Sequence, residues 1–302
     1  MTTTRPRRIV VAINPTASFG KGRTVGPAVV QSLRGAGYDV TALTEPSYLD
    51  LVEAGRTAVA SKPDAVVVVG GDGMVNLGAN LLAGTTVPLG IVPSGTGNDM
   101  CRALGIPHDD TEGAIRCLLA ALDKPARVID AGRIHRSDGG VTWFACMVSA
   151  GFDAVVNERA NRMTWPKGSS RYNLALLYEL IGLKRIDYRL VLDAVPRQLT
   201  GTLISVGNGV SLGGGMKVTP DALLDDGLLD VLMVERLGRL AFLRIFPRVF
   251  KGEHLSDRRV TVQKVKKVRI EADGVVAYAD GERVGPLPID IEVVPRALRV
   301  LA

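Results

Sequence analysis

The stretch Ala65-Val66-Val67-Val68-Val69-Gly70-Gly71-Asp72-Gly73 decides the fold. Its apolar run shows no polar alternation, which predicts a strand buried on both faces, as in parallel sheets covered by helices. The glycines that follow let backbone N–H groups approach an anion, and the helix-compatible stretch from Met74 adds the positive end of a helix dipole. Open α/β sheets bind ligands at this end of their strands. Taken alone, the same residues also fit a tight turn with a solvated aspartate.

Similar apolar runs at 9–14, 38–43 and 87–92 alternate with helix-length stretches at 24–36, 48–61, 75–82 and 110–122. This rhythm predicts a doubly wound, mostly parallel α/β domain over 1–128. The run 87–92 leads into a second glycine-rich turn, Pro93-Ser94-Gly95-Thr96-Gly97-Asn98-Asp99, in which Asn98 or Asp99 also suits a helix N-cap. Two such turns on neighbouring strands, each with an acid, would gather phosphate donors and carboxylates for Mg²⁺. A third turn, 14–22, is not a Walker A loop. Pro15 stands where the first glycine is required, and Gly22 follows Lys21 in place of Ser or Thr. No GxGxxG appears, so the usual NTPase and dinucleotide-binding readings weaken.

Beyond Val128 strand-like segments follow in quick succession: 128–134, 141–149, 187–192, 200–206, 229–234, 260–270, 275–279 and 289–293. They predict a larger, mainly antiparallel β domain over 129–293, interrupted by helices at 172–183 and 240–250. The 302 residues carry 37 Lys plus Arg against 31 Asp plus Glu, a net charge of +6, and 46% are hydrophobic. That composition excludes disordered and disulfide-stapled classes. Cys101, Cys117 and Cys146 form no CxxC and read as core thiols. His108, His135 and His254 are too scattered for a local zinc site. No uncharged apolar run approaches about 20 residues and no apolar signal core opens the chain, so a cytoplasmic location is expected.

The motifs resemble those of the diacylglycerol kinase catalytic domain, shared with sphingosine and ceramide kinases and more distantly with NAD kinase. Asn14-Pro15, Gly70–Gly73 and Ser94–Arg102 are similar to the family's N-terminal signature. Ser149-Ala150-Gly151-Phe152-Asp153, Gly207-Asn208-Gly209, Gly213-Gly214-Gly215, Pro220, Asp225–Asp230 and Asp280-Gly281-Glu282 continue it in family order. Asn161–Pro166 and Phe250–His254 resemble the bacterial enzymes of mycolic-acid actinomycetes.

The resemblance implies a nucleotide site on the first domain, completed by about 294–302, and a lipid site in the cleft between domains. ATP and Mg²⁺ are the implied cofactors. Asn14, Gly70, Gly71, Asp72, Gly73, Ser94, Gly95, Thr96, Gly97, Asn98 and Glu282 are the implied nucleotide-binding residues. Asp280 is the implied general base, with Asp72 and Asp99 joining the catalytic machinery. Asp72, Asp99 and Asp130 are implied to surround Mg²⁺ through water, and Leu223, Asp226 and Leu228 to hold a structural divalent ion. Read from residues alone, Asp280-Gly281 is also the strongest short hairpin signal, and Asp226-Gly227 a plain β-turn. Met74 departs from the pattern, because relatives usually carry Thr or Ser there.

Between Arg236 and Arg269 lie nine basic residues, opposed within the segment only by Glu253 and Asp257. Such a segment can dock on an anionic membrane surface or simply be a solvated face. No nucleic-acid module accompanies it, so nucleic acid is not an expected partner.

The expected activity is ATP-dependent phosphorylation of diacylglycerol to phosphatidic acid at the inner membrane face; a homodimer stays open. Alternatives are a kinase for a sphingoid base, ceramide or another lipid alcohol, an NAD kinase, and a non-catalytic nucleotide- or lipid-binding protein. Gly209-Val210-Ser211-Leu212-Gly213 adds an ester hydrolase through its formal GxSxG.

Overall fold

The computed structural model describes residues 6–14, 22–163, 165, 174–175, 178–179 and 185–302. The chain divides into two compact units, residues 1–129 with 296–302, and residues 130–295.

The first unit alternates strand and helix: β1 (Arg8–Ile13), α1 (Gly22–Gly35), β2 (Asp39–Leu43), α2 (Tyr48–Ala60), β3 (Ala65–Gly70), α3 (Asp72–Leu82) and β4 (Leu89–Pro93). Two further helices follow, α4 (Asp99–Leu104) and α5 (Thr111–Leu122). Strand β1 pairs in parallel with β2 and β3, and β3 with β4. The chain thus reverses direction across the sheet between β1 and β3, which opens a crevice at their carboxyl ends. Every residue of β3 is buried, as its unbroken valine run demands. Helix α2 starts where Ser47 Oγ accepts the Asp50 N–H at 3.2 Å. Helix α3 begins at Asp72, three residues before the expected start, because Gly71 takes the cap position.

The second unit is mainly antiparallel. Its strands are β5 (Arg127–Arg136), β6 (Val141–Phe144), β7 (Met147–Gly151), β8 (Ile186–Leu192), β9 (Val195–Gly207), β10 (Ser211–Leu212) and β11 (Met216–Lys217). Then come β12 (Leu229–Glu235), β13 (Val260–Val265), β14 (Lys267–Glu271), β15 (Val276–Ala279), β16 (Glu282–Pro286) and β17 (Ile289–Leu301). Helices α6 (Phe152–Arg162) and α7 (Arg239–Val249) interrupt the series. The order β16-β15-β7-β9-β8-β14-β17 forms the main sheet, with β12 joining β9 and β13. Alternate residues such as Leu190, Ile204, Val231, Val268 and Ile291 form its core. Strand β17 pairs antiparallel with β14 through 289–292, and its last residues lie parallel to β4 in the first unit's sheet.

Three expectations change. The segment 141–149 is two strands, broken at Ala145-Cys146, whose N–H groups turn to the Asp280 carboxylate. The segment 260–270 is also two strands, because Asp193 Oδ1 accepts the N–H groups of Lys266 and Lys267 and ends the ladder there. Helix α6 and the small β10–β11 hairpin were not expected. Of the helix expected at 172–183, residues 174–175 and 178–179 are helical and the rest lie outside the described residues. The turn residues 15–21 lie outside them as well.

Candidate active site

In the first unit the two glycine turns meet. Strands β3 and β4 run side by side with Gly70 opposite Pro93, and the Ser94 N–H donates to the Gly70 carbonyl at 2.9 Å. A Cβ on Gly95 would lie 2.4 Å from Gly71 Cα, so only two glycines allow this approach. Asp72 then ties the turns from the side: its Oδ2 accepts the Asn98 N–H at 3.0 Å and its Oδ1 the Asp99 N–H at 2.8 Å. Asn98 sits in the left-handed region at φ 55 and holds the second turn closed, accepting the Gly95 N–H and donating to the Gly95 carbonyl. Asn14, at the end of β1, donates its N–H to the Val69 carbonyl. Asp99 is buried, while Thr96 is exposed at the tip. The Ser94 hydroxyl is buried with no partner among the described residues.

Met74 is a core residue. Its side chain folds beneath Gly70, where a Cβ would come within 2.3 Å of Met74 Cγ. Cys101 lies just behind the turn. Burial, then the nearby Asp72 charge, pushes its thiol up to about 12, so it is a protonated core group.

In the second unit the later motifs converge on one network. Asp280 and Gly281 form the two-residue turn between β15 and β16, with φ 47 and φ 85. That is the hairpin the Asp-Gly pair predicts. The same Asp280 is 3% exposed, and its carboxylate turns back onto the gap between β6 and β7. Oδ2 accepts the Ala145 N–H at 2.8 Å, and Oδ1 accepts those of Cys146 and Met147, each at 2.9 Å. The hairpin and site readings of Asp280 are therefore compatible. Glu282 keeps solvent contact, yet desolvation by the surrounding protein, and then the Asp280 charge, raises its carboxyl above the ordinary range.

Sequence reasoning left Asn208 without a role, although its flanking glycines signalled a crowded position. Its side-chain amide donates to the carbonyls of Ala145 at 2.8 Å and Asp130 at 3.1 Å, joining the strands around Asp280. Asp130, implied by resemblance to surround Mg²⁺, holds the loop 224–227. Its N–H donates to the Leu224 carbonyl, and its Oδ2 accepts the Gly227 N–H at 2.7 Å.

In the loop implied to hold the structural ion, Asp226 is already engaged. Asp226 Oδ1 accepts the Leu228 N–H, and its Oδ2 lies 2.9 Å from the Lys264 ammonium, which also reaches Asp230 Oδ2 at 2.9 Å. A divalent cation on Asp226 would sit against that ammonium. Lys264 was missed because it lies on β13, where register sets it opposite Asp230. Among the described residues no cluster of His, Cys, Asp and Glu forms a metal site.

An apolar pocket of about 80 Å³ opens in the same unit, lined by Leu203, Phe242, Ile245, Phe246, Val249 and His254 among others. Ser211 begins the β10–β11 hairpin, so no helix follows it as a nucleophile elbow requires. His254 Nε2 is bonded to the Val218 carbonyl, and burial lowers its pKa. The GxSxG hydrolase reading loses its structural basis.

Comparison with known proteins gives a consistent result. Residues 8–134 match the family described as diacylglycerol kinase catalytic domain, and residues 146–302 match the YegS C-terminal NAD kinase beta sandwich-like domain. A diacylglycerol kinase of Mycobacterium tuberculosis (strain ATCC 25618 / H37Rv) is 39% identical over 295 residues, covering 97% of this chain and 94% of its own. One from Bacillus subtilis (strain 168) is 26% identical, covering 93% and 92%. A diacylglycerol kinase structure from Bacillus anthracis str. Sterne has the same fold at 23% identity, with a TM-score of 0.71 over 99% of this chain and 97% of that one. The glycine turns, the Asp280 hairpin and this similarity over nearly the whole chain lead to one conclusion: the protein belongs to the diacylglycerol kinase family of lipid kinases.

Proposed function

We propose that the protein transfers the γ-phosphoryl group of ATP to the free hydroxyl of diacylglycerol, giving phosphatidic acid. The observation that carries this reading is the backbone-to-backbone approach of Gly71 and Gly95, locked by Asp72. Phosphoryl transfer needs little covalent chemistry from a protein; it needs phosphates positioned and their charge offset. Glycine turns beside the start of α3 supply main-chain N–H groups to the triphosphate. Asn14 and the turn from Ser94 to Asn98 line the nucleotide. Met74 offers no hydroxyl, and the loss of one neutral hydrogen bond costs about 0.5–1.5 kcal/mol, too little to remove the site.

Mg²⁺, when bound, would offset charge on the phosphates. Both Asp72 oxygens already accept main-chain N–H groups, so Asp72 and Asp99 suit an ion held through water. Asp280 is the proposed base. Three N–H groups prevent its carboxylate from swinging, so the acceptor hydroxyl must come to it. Glu282, raised by desolvation and by Asp280, would orient that base or the nucleotide. The apolar pocket would take acyl chain, and the enzyme would work peripherally on anionic membrane at the cytoplasmic face.

The test is a phosphotransfer screen with γ-labelled ATP over mixed micelles of diacylglycerol, ceramide and a sphingoid base, with NAD as a soluble acceptor. Label in diacylglycerol, lost in Asp280→Asn while nucleotide affinity persists, is the expected result. Label only in another acceptor would reassign the substrate, and transfer to none would remove the kinase reading. Because the pocket lining is mostly apolar, another lipid alcohol is the second reading that screen decides.

A further inference from the structure

Helix α7 has two apolar faces. Phe242, Ile245, Phe246 and Val249 point inward and wall the apolar pocket. On the opposite side Leu240 is 85% exposed and Leu243 49%. A surface helix normally buries one apolar stripe and shows water a polar one. Single exposed leucines need no explanation, but two at helical spacing i, i+3 on one outward face form a patch.

Charge surrounds that patch. Arg244 and Lys251 are exposed and have no ion-pair partner among the described residues. Four other basic residues of the 236–269 segment are spent internally: Arg259 on Asp257, Lys264 on Asp226 and Asp230, Lys267 on Glu292, and Arg269 on Glu271 and Asp290. Arg244 follows Leu243 directly on α7, and Lys251 lies just past the helix's end.

An aromatic rail connects the two faces. Phe152 meets Phe242 at 4.8 Å, Phe242 stacks on Phe246 at 5.5 Å, and Phe246 meets Phe250 at 6.0 Å. Along it, exposure rises from the buried Phe242 to Phe250 at 49%.

We infer that α7 is a membrane-seated door to the apolar pocket: Leu240 and Leu243 enter the edge of an anionic bilayer, and the phenylalanine rail passes an acyl chain inward. The inference rests on the lipid-kinase reading for the pocket's occupant, but the seat itself does not. An apolar face flanked by Arg and Lys is the signature of an interfacial helix, whose hold grows with buried apolar area and with attraction to anionic headgroups. The pocket is too narrow to hold two acyl chains as it stands, so entry requires α7 to shift, and a helix already resting in lipid can shift without exposing its inner face to water.

The test compares the full chain with the double variant Leu240→Ser/Leu243→Ser, in sedimentation with vesicles of phosphatidylcholine alone and of phosphatidylcholine with phosphatidylglycerol. The native protein should sediment with the anionic vesicles. The variant should bind them at least about tenfold more weakly. Its turnover on vesicle-borne diacylglycerol should fall in step, while turnover on a monomeric short-chain diacylglycerol stays within about twofold. Both leucines are exposed, so an unchanged melting curve separates this effect from misfolding. A second variant, Arg244→Glu/Lys251→Glu, should abolish the preference for anionic vesicles. Unchanged binding of the leucine variant, or native protein that ignores both vesicle types, overturns the inference. Leucine-dependent vesicle binding without transfer to any lipid alcohol supports the seat and sinks the kinase reading instead.

Discussion

Asp72 Oδ1 accepts the main-chain N–H of Asp99 at 2.8 Å, so one carboxylate ties together two turns 27 residues apart. Its other oxygen holds Asn98. Asp72→Asn leaves a single acceptor oxygen for two N–H groups and sets an NH₂ against one of them. Hydrogen bonds to charged groups contribute about 1.5–3 kcal/mol, so urea denaturation should show a loss of that order. Nucleotide affinity should fall with it. If both stay at native values, the clamp is unnecessary.

Gly95→Ala should be far more damaging than Gly35→Ala. The first drives a methyl group to 2.4 Å from Gly71 Cα, where both partners are backbone and neither can rotate away. Forcing atoms into such contact costs about 1–3 kcal/mol and parts the turns. A Cβ on Gly35 meets nothing within 4 Å, and alanine is the better helix former there. Paired nucleotide titrations and melting curves give the comparison. Equal behaviour of the two variants would remove the turns from the site.

Lys264→Met should lower the melting temperature and create a response to divalent ions that the native protein lacks at this loop. Without the ammonium, Asp226 and Asp230 face one another, and desolvation already raises the Asp230 carboxyl. Added Mg²⁺ should then restore part of the lost stability. Melting curves with and without a chelator, in the absence of nucleotide, provide the measurement. A native protein that the chelator destabilises as strongly as the variant would return the loop to metal.

Acid sensitivity should depend on Glu292. Hydrogen bonds from Arg133, then His135, together with the nearby Lys267, hold its carboxyl down at about 2, against an ordinary 4.5. A folded-state pKa below the unfolded one means that the contribution is complete above about pH 4.5 and is lost as pH falls toward 2. Glu292→Gln should therefore reduce stability at neutral pH and flatten the stability curve between those values. Native and variant curves that stay parallel through that window would refute the assignment.

The meeting of the two glycine turns was legible because its signals are local. A valine run on β3 and another apolar run on β4 predict neighbouring buried strands, and glycine turns at their ends fall together once the strands pair. The second unit was read less well, for reasons visible in particular residues. Ala145 and Cys146 are apolar like the strands on either side, so only Asp280, more than 130 positions away, reveals that the ladder breaks there. Lys264 looked like one charge in a basic run, because its acids are 34 and 38 positions distant. Asn208 showed its flanking glycines but not the two carbonyls it bridges. Pairings at such separations are set by strand register, which local periodicity does not contain.

Strand β17 carries a consequence for biosynthesis. Its last residues line β4, and the Gly84 N–H and the Arg299 guanidinium fasten this return to the first unit. A ribosome releases β4 before any of residues 130–295 and β17 after nearly all of them. Until then the nascent first unit presents the bare flank of β4, apolar and ready to pair with a stray strand. Folding in the cell must shelter that flank for most of translation, and a truncated product ending near Ile129 would aggregate rather than persist as a small nucleotide binder.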